Sequence, residues 1–199
     1  DLEKMHLMVE EACQGLAGVS ASQVEMKSGI QFYDGITTAE IQEILIKAAS
    51  DLIDLDHPNY QFVAARLLLF SLRKSLYGKM RELPDLETHI NDCVGKEVYD
   101  SEIYTKYSKE EIEKVNSYID HNRDFLFTYA GLRQVVDKYL VQDRSAGGVY
   151  ETPQFMYIMI ALTIFREYPK ETRLSYVKRY YDAISKHRIN IPTPIMAGV

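Results

Sequence analysis

Residues 34–53 read DGITTAEIQEILIKAASDLI, and this stretch decides how the rest is read. Asp34-Gly35 is a turn pair, since glycine enters the left-handed backbone of a tight turn without steric cost. Thr37 followed three residues later by Glu40 forms a capping box, in which each side chain satisfies the other's exposed backbone N–H at a helix start. Behind it Ile41, Ile44, Leu45, Ala48, Leu52 and Ile53 recur at helical spacing and predict one buried face.

The same grammar extends outward. Residues 4–14 (KMHLMVEEACQ) carry Met5, Met8, Val9 and Ala12 on one helical face, and Gly15 and Gly18 stop it. Ser20 with Gln23 and Ser22 with Glu25 are two overlapping capping boxes, predicting a second helix that runs to about Tyr33. Pro58 suits the first turn of a fourth helix, where a missing N–H costs nothing. That helix carries Tyr60, Val63, Ala64, Leu67, Leu68 and Leu72 to a cap at Gly78. The first ~78 residues read as a four-helix unit.

Between Lys79 and Pro84 the pattern lapses into charge and a proline, which marks a domain boundary. Beyond it Pro84 opens a helix ending near Gly95. Ser108 with Glu111 boxes another that turns Ile112, Val115 and Ile119 inward, and Phe125–Tyr139 gives a third. YLVQDRSAGGVYE, residues 139–151, reads as a hairpin about a Gly-Gly turn. Thr152-Pro153 caps an apolar helix. A last amphipathic helix spans Glu171–Lys186 with Leu174, Val177, Tyr180, Tyr181 and Ile184 inward. INIPTPIMAGV, residues 189–199, predicts a terminal strand whose apolar Ile195, Met196 and Val199 are frayed or paired with another molecule. The fold class expected is mainly α: a four-helix unit, then a helical region with one β-hairpin and a closing strand.

Composition narrows the chemistry. The 199 residues carry 29 acidic against 23 basic side chains for a formal net charge of -6, mixed along the chain, which disfavours nucleic-acid binding. The apolar stretch Phe155–Phe165 is about half of the ~20 residues that span a bilayer. No basic and apolar leader opens the chain, and two cysteines 80 positions apart form no disulfide framework, so a cytoplasmic setting without a membrane is expected. His89 and Cys93, one helical turn apart, supply two of the four ligands a structural zinc needs. Neither cysteine has a CxxC partner, so both read as buried filler. GxSxG, GxGxxG and GxxxxGK[ST] are all absent. The fifteen tyrosines read as core and interface anchors. Arg73-Lys74 complements a helix C-terminus. Thr38, left over beside the capping Thr37, stands at a helix N-terminus where a phosphate is favoured.

Four tracts go further: IQFYDGITTAEIQEILIKAASDLI, PNYQFVAARLLLFSLRK, KYLVQDRSAGGVYETPQF and IPTPIMAGV. In these, and in order along essentially the whole chain, the sequence resembles the large (alpha) subunit of class I ribonucleoside-diphosphate reductase. The resemblance implies that residues 1–78 are an ATP-cone, the family's allosteric domain, without the VxKRDG-like hairpin that usually opens it. Residues 79–199 would be the helical region leading into an α/β barrel that the chain does not contain.

The family reduces ribonucleoside diphosphates at the 2′ carbon through a cysteine thiyl radical, generated with a small (beta) subunit that holds a metal cofactor. The resemblance places the catalytic cysteines beyond residue 199, so no catalytic residue and no metal are expected in this chain. It implies ATP or dATP as allosteric effector. Lys4 and Lys74 are then phosphate contacts, Thr38 a contact at the nucleotide and Phe70 part of the pocket wall. Gln42 stands where bacterial relatives often carry histidine, and Thr193 would be a substrate contact. The partners implied are the small subunit, further alpha subunits in a homo-oligomer and a ribonucleoside diphosphate, in the service of deoxyribonucleotide synthesis for DNA replication. The alternative is a nucleotide-sensing or assembly module acting without catalysis.

Overall fold

A computed structural model describes residues 2–143 and 147–197. Its contacts divide into two units. One takes the residues through Ser75 together with Phe125–Gln134, and the other takes Leu76–Asp124 with the residues from Val135 onward.

The first unit opens with α1 (Leu2–Cys13), which buries Met8, Val9 and Ala12. Gly15 and Gly18, at φ of 75° and 71°, end it in the left-handed conformation that glycine adopts most easily. The next helix, α2 (Ala21–Gly29), departs from expectation in two ways. Ser20 is its N-cap but makes no side-chain capping bond. The Ser20 N–H instead donates to the Tyr60 hydroxyl at 3.0 Å, and that hydroxyl donates to Gln23 Oε1 at 2.5 Å. Glu25, the acceptor expected of the second box, is bonded to His6. A long-range tyrosine and a histidine thus claim the groups that local capping would have used. The helix also stops at Gly29, short of Tyr33.

The capping box at Thr37 and Glu40 is formed, and α3 (Thr38–Ser50) follows it, burying Leu45, Ile46, Ala48 and Ala49. The predicted face extends to Leu52 and Ile53, but Ile53 is 39% exposed. The Asp54 carboxylate collects the N–H groups of Asp56 and His57 at 2.9 and 2.6 Å, a local turn that replaces further helix. α4 (Tyr60–Tyr77) is buried along most of its length, including Val63, Leu67, Leu69, Phe70 and Arg73, and Gly78 at φ 71° follows it. Arg66 Nη1 donates to the carbonyls of Ala12 at 3.1 Å and Gln14 at 2.7 Å, satisfying acceptors at the end of α1.

In the second unit α5 (Leu86–Gly95) is capped by Asp85, which accepts from the Thr88 N–H at 2.8 Å. A short α6 (Ile103–Lys106) precedes α7 (Lys109–Asn116), whose Ser108–Glu111 capping box is formed and whose Ile112 and Val115 are buried. Ile119 lies past its end. The helix expected over Phe125–Tyr139 is split into a 3-10 turn, His121–Leu126, and α8 (Tyr129–Lys138), which is shared by the two units.

The hairpin pairs β1 (Gln142–Asp143) antiparallel with β2 (Gly148–Val149), Gln142 opposite Val149. Of the expected Gly-Gly turn, Gly147 lies in the connection at φ 73° and Gly148 belongs to the strand, while residues 144–146 lie outside the described ones. α9 (Pro153–Phe165) is buried from Pro153 through Ile158 and packs on α10 (Lys170–Ser185). Thr152 precedes Pro153 at the first helical position but makes no side-chain capping bond. A buried chain of polar groups joins these helices to the 3-10 turn. The Tyr181 hydroxyl donates to Gln154 Oε1 at 2.7 Å, and Gln154 Nε2 donates to Asp124 Oδ1 at 2.9 Å.

The expected terminal strand is not formed: residues 193–197 are a short helix, α11 (Thr193–Ala197). A strand needs a neighbour to satisfy its N–H groups. Here the Ile195 and Met196 amides bond locally to the Pro192 carbonyl at 3.0 and 3.3 Å, and Pro194 fits a first helical turn. Val199 lies outside the described residues. Among these no helix is long and apolar enough to cross a membrane.

Candidate effector site

The groups that anchor α3 are concentrated at its first turn. The Thr37 N–H donates to Glu40 Oε2 at 2.9 Å, and the Glu40 N–H donates to Thr37 Oγ1 at 3.2 Å. The Thr37 hydroxyl donates to the same carboxylate, and the Tyr33 hydroxyl adds a further donor at 2.7 Å. Together these bonds, the Thr37 hydroxyl first, pull the Glu40 carboxyl down to about 2. Thr38 is the first residue of the helix and is exposed beside this clamp. One turn on, Gln42 is half-buried and accepts from the Ser71 hydroxyl at 3.2 Å.

That bond ties α3 to a particular part of α4. Ser71 follows Phe70, which is 1% exposed, and Lys74 stands one turn beyond Phe70 with its side chain in solvent. Thr38 and Gln42 are therefore one turn apart on one helix, Phe70 and Lys74 one turn apart on the other, and the Gln42–Ser71 bond links the two pairs. Lys4 is exposed on the first turn of α1. Ser71 carries no sequence signal of its own and is not among the expected site residues.

Arg73 does not stay at the surface with Lys74. It is 4% exposed, and its Cζ lies 5.6 Å from the Phe125 ring centroid. Arg66 Cζ is 5.4 Å from the same centroid, and Phe70 meets the ring edge-on at 6.2 Å between centroids.

The second unit holds Thr193, exposed, with its hydroxyl 3.2 Å from that of Tyr139. It also holds a cavity of about 520 Å³ lined among others by Tyr99, Lys138, Glu151, Met156 and Met196. Glu151 is buried there and accepts from the Tyr99 hydroxyl and from the Val141 N–H, the latter at 2.8 Å. Desolvation raises its carboxyl to about 7. Nothing in the residue pattern singled out Glu151. A glutamate directly before a Thr-Pro helix start that is otherwise apolar is the only local hint.

His89 and Cys93 come together with Sγ 3.8 Å from Nε2, but the imidazole is stacked on Phe155 at 3.9 Å between centroids and bonded to the Tyr99 hydroxyl. Burial lowers His89 to about 4 and raises the Cys93 thiol to about 12. Among the described residues no group of three His, Cys, Asp or Glu side chains is placed to hold a metal. Cys13 is half-buried, and desolvation raises it to about 11.

Comparison with known families matches residues 1–75 to the ATP cone domain and residues 125–199 to the ribonucleotide reductase, all-alpha domain. The whole chain is 50% identical to the ribonucleoside-diphosphate reductase 1 subunit alpha of Escherichia coli (strain K12), of which it covers 26%. It is also 50% identical to the subunit alpha of Haemophilus influenzae, again over 26% of that protein. Against the subunit alpha of Enterobacteria phage T4 the identity is 45% over 91% of this chain and 24% of the phage protein. The chain thus spans about a quarter of the length of the relatives it matches.

Proposed function

Since the chain belongs to the ribonucleoside-diphosphate reductase alpha-subunit family and corresponds to the N-terminal quarter of such subunits, we propose that it is the regulatory and pre-catalytic part of one. The observation that carries this reading is the ordered pair of domain matches combined with half-identity over all 199 residues. The assembled enzyme would reduce ribonucleoside diphosphates at the 2′ carbon in the cytoplasm. It would work with a small subunit that holds the metal cofactor, and with further alpha subunits.

In this reading residues 1–78 bind ATP or dATP and residues 79–199 lead toward the catalytic part. Thr38 meets the nucleotide at the start of α3, where exposed N–H groups and the helix dipole favour an anion. Lys74 and Lys4 supply charge to the phosphates, Phe70 walls the pocket, and Gln42 offers an amide to the base or sugar. Thr193, on the other unit, would touch the substrate.

Two measurements test this. Mass spectrometry of the native protein should find these residues inside a chain several times longer. An intact native chain finishing at Val199, with no companion fragment, would count against reductase activity. Titration calorimetry of the 199-residue chain should give heat with ATP or dATP that Lys74→Ala reduces. No heat from either nucleotide removes the effector reading.

A further inference from the structure

The family matches and the packing draw different boundaries around one segment. The all-alpha match begins at Phe125, yet Phe125–Gln134 packs with the unit formed by the ATP cone match. Phe125 leads that segment. Its ring is set against Arg66, Phe70 and Arg73, which recur at helical spacing on one face of α4, with the two guanidinium carbons at 5.4 and 5.6 Å and the Phe70 ring edge-on. Cations near an aromatic ring and an edge-on aromatic pair are both attractive geometries. Arg66 also holds the carbonyls that end α1, so the group around Phe125 reaches both helices that bear the proposed phosphate contacts Lys4 and Lys74.

We infer that Phe125 is a positioning residue of the effector site. Contributed by the opening segment of the all-alpha domain, it fixes the Phe70 ring that walls the nucleotide pocket, and Phe125–Gln134 thereby registers whether the pocket is filled. The inference rests on the reading of Phe70 as that wall. A nucleotide that holds Phe70 in place also steadies the ring Phe70 abuts, and α8 begins four residues after that ring.

The test compares the 199-residue chain with its Phe125→Ala, Phe125→Tyr and Leu132→Ala variants, by calorimetry with ATP and by hydrogen exchange over residues 125–134. Leu132 is fully buried in the same segment, so its truncation reports general loosening. Phe125→Ala should weaken ATP binding by about three- to tenfold, the scale of one lost aromatic contact, and Phe125→Tyr should regain most of it. ATP should slow exchange over residues 125–134 in the parent and not in Phe125→Ala. The inference fails if Phe125→Ala binds ATP as the parent does, if exchange over the segment ignores ATP, or if Leu132→Ala weakens binding equally. Absence of heat in the parent would remove the effector reading and this inference with it. Equal heat in the parent and Phe125→Ala removes this inference alone.

Discussion

The Ser71 hydroxyl donates to the side-chain oxygen of Gln42 at 3.2 Å, so a residue of α4 sets the amide orientation of a residue of α3. With Oε1 engaged, the Gln42 amide nitrogen is left as the group that donates outward. In the proposed effector site such a fixed donor would separate ligands that differ in one hydroxyl better than a freely rotating amide does. Removing the Ser71 bond by Ser71→Ala should therefore change the ratio of ATP to dATP affinity by about twofold to fivefold while altering their mean affinity less, on the scale of one neutral hydrogen bond. Competition calorimetry with the two nucleotides measures that ratio. An unchanged ratio in both Ser71→Ala and Gln42→Ala would exclude Gln42 from discrimination.

Thr37→Ala removes the hydroxyl of the capping box at the start of α3. A lost cap of this kind costs about 1 kcal/mol. The urea midpoint of the first unit should fall accordingly. Glu40 loses its leading hydrogen-bond donor, so its carboxyl titration, followed by NMR, should move up from about 2. Thr37→Ser should restore both.

Glu151 and His89 give opposing pH dependences. The Glu151 carboxyl is raised by burial to about 7, so its contribution to stability is full below the ordinary value of 4.5 and is lost as pH rises through about 7. His89 is lowered by burial to about 4, so its contribution is present above 6.5 and is lost as pH falls. Between about 4.5 and 6.5 the two slopes offset each other, and above 6.5 the Glu151 loss remains until about 7, beside that of His6, whose imidazole the bond to Glu25 raises above its ordinary value. Stability of the parent should therefore drop as pH rises from 6.5 through about 7, a drop that Glu151→Gln reduces. Across the full range from its ordinary to its raised value, the Glu151 effect is on the order of 3 kcal/mol, at ~1.4 kcal/mol for each pH step of one. Urea denaturation of parent and variant across pH 5–8 reads it, and parallel curves would contradict the desolvation of the Glu151 carboxyl.

Arg173 is almost fully buried, donates from Nε to Glu111 Oε1 at 2.8 Å and reaches Oε2 with Nη2 at 2.5 Å. Glu111 at the same time closes the Ser108 box, so one carboxylate joins the start of α7 to α10. Arg173 also lies over the Tyr107 ring at 4.3 Å. Removing one partner of such a pair strands the other, and Arg173→Ala should cost about 2–4 kcal/mol. Arg173→Lys should recover only part, because a point charge cannot reproduce the two-pronged bond. Guanidinium denaturation gives both values.

The sequence by itself determined the elements whose causes lie within a few residues. The Thr37–Glu40 and Ser108–Glu111 boxes, the glycine stops after α1 and α4 and the apolar run of α9 all formed, since i to i+3 bonds and helical spacing are properties of a short segment. Of the proposed effector residues only Thr38 was marked by the local pattern, as a spare threonine at a helix start, whereas Gln42, Phe70 and the phosphate role of Lys74 came from the family resemblance. The tertiary structure decided what local rules left to competition. Tyr60 took the groups at the head of α2 from across the unit, and Ser71 joined the two pairs. Phe125 was drawn to α4, Glu151 was buried beneath Tyr99, and residues 193–197 closed a helical turn where a strand would have needed a neighbour. All but the last of these outcomes depend on which distant side chain meets a polar or aromatic group. No window of a few residues contains that information.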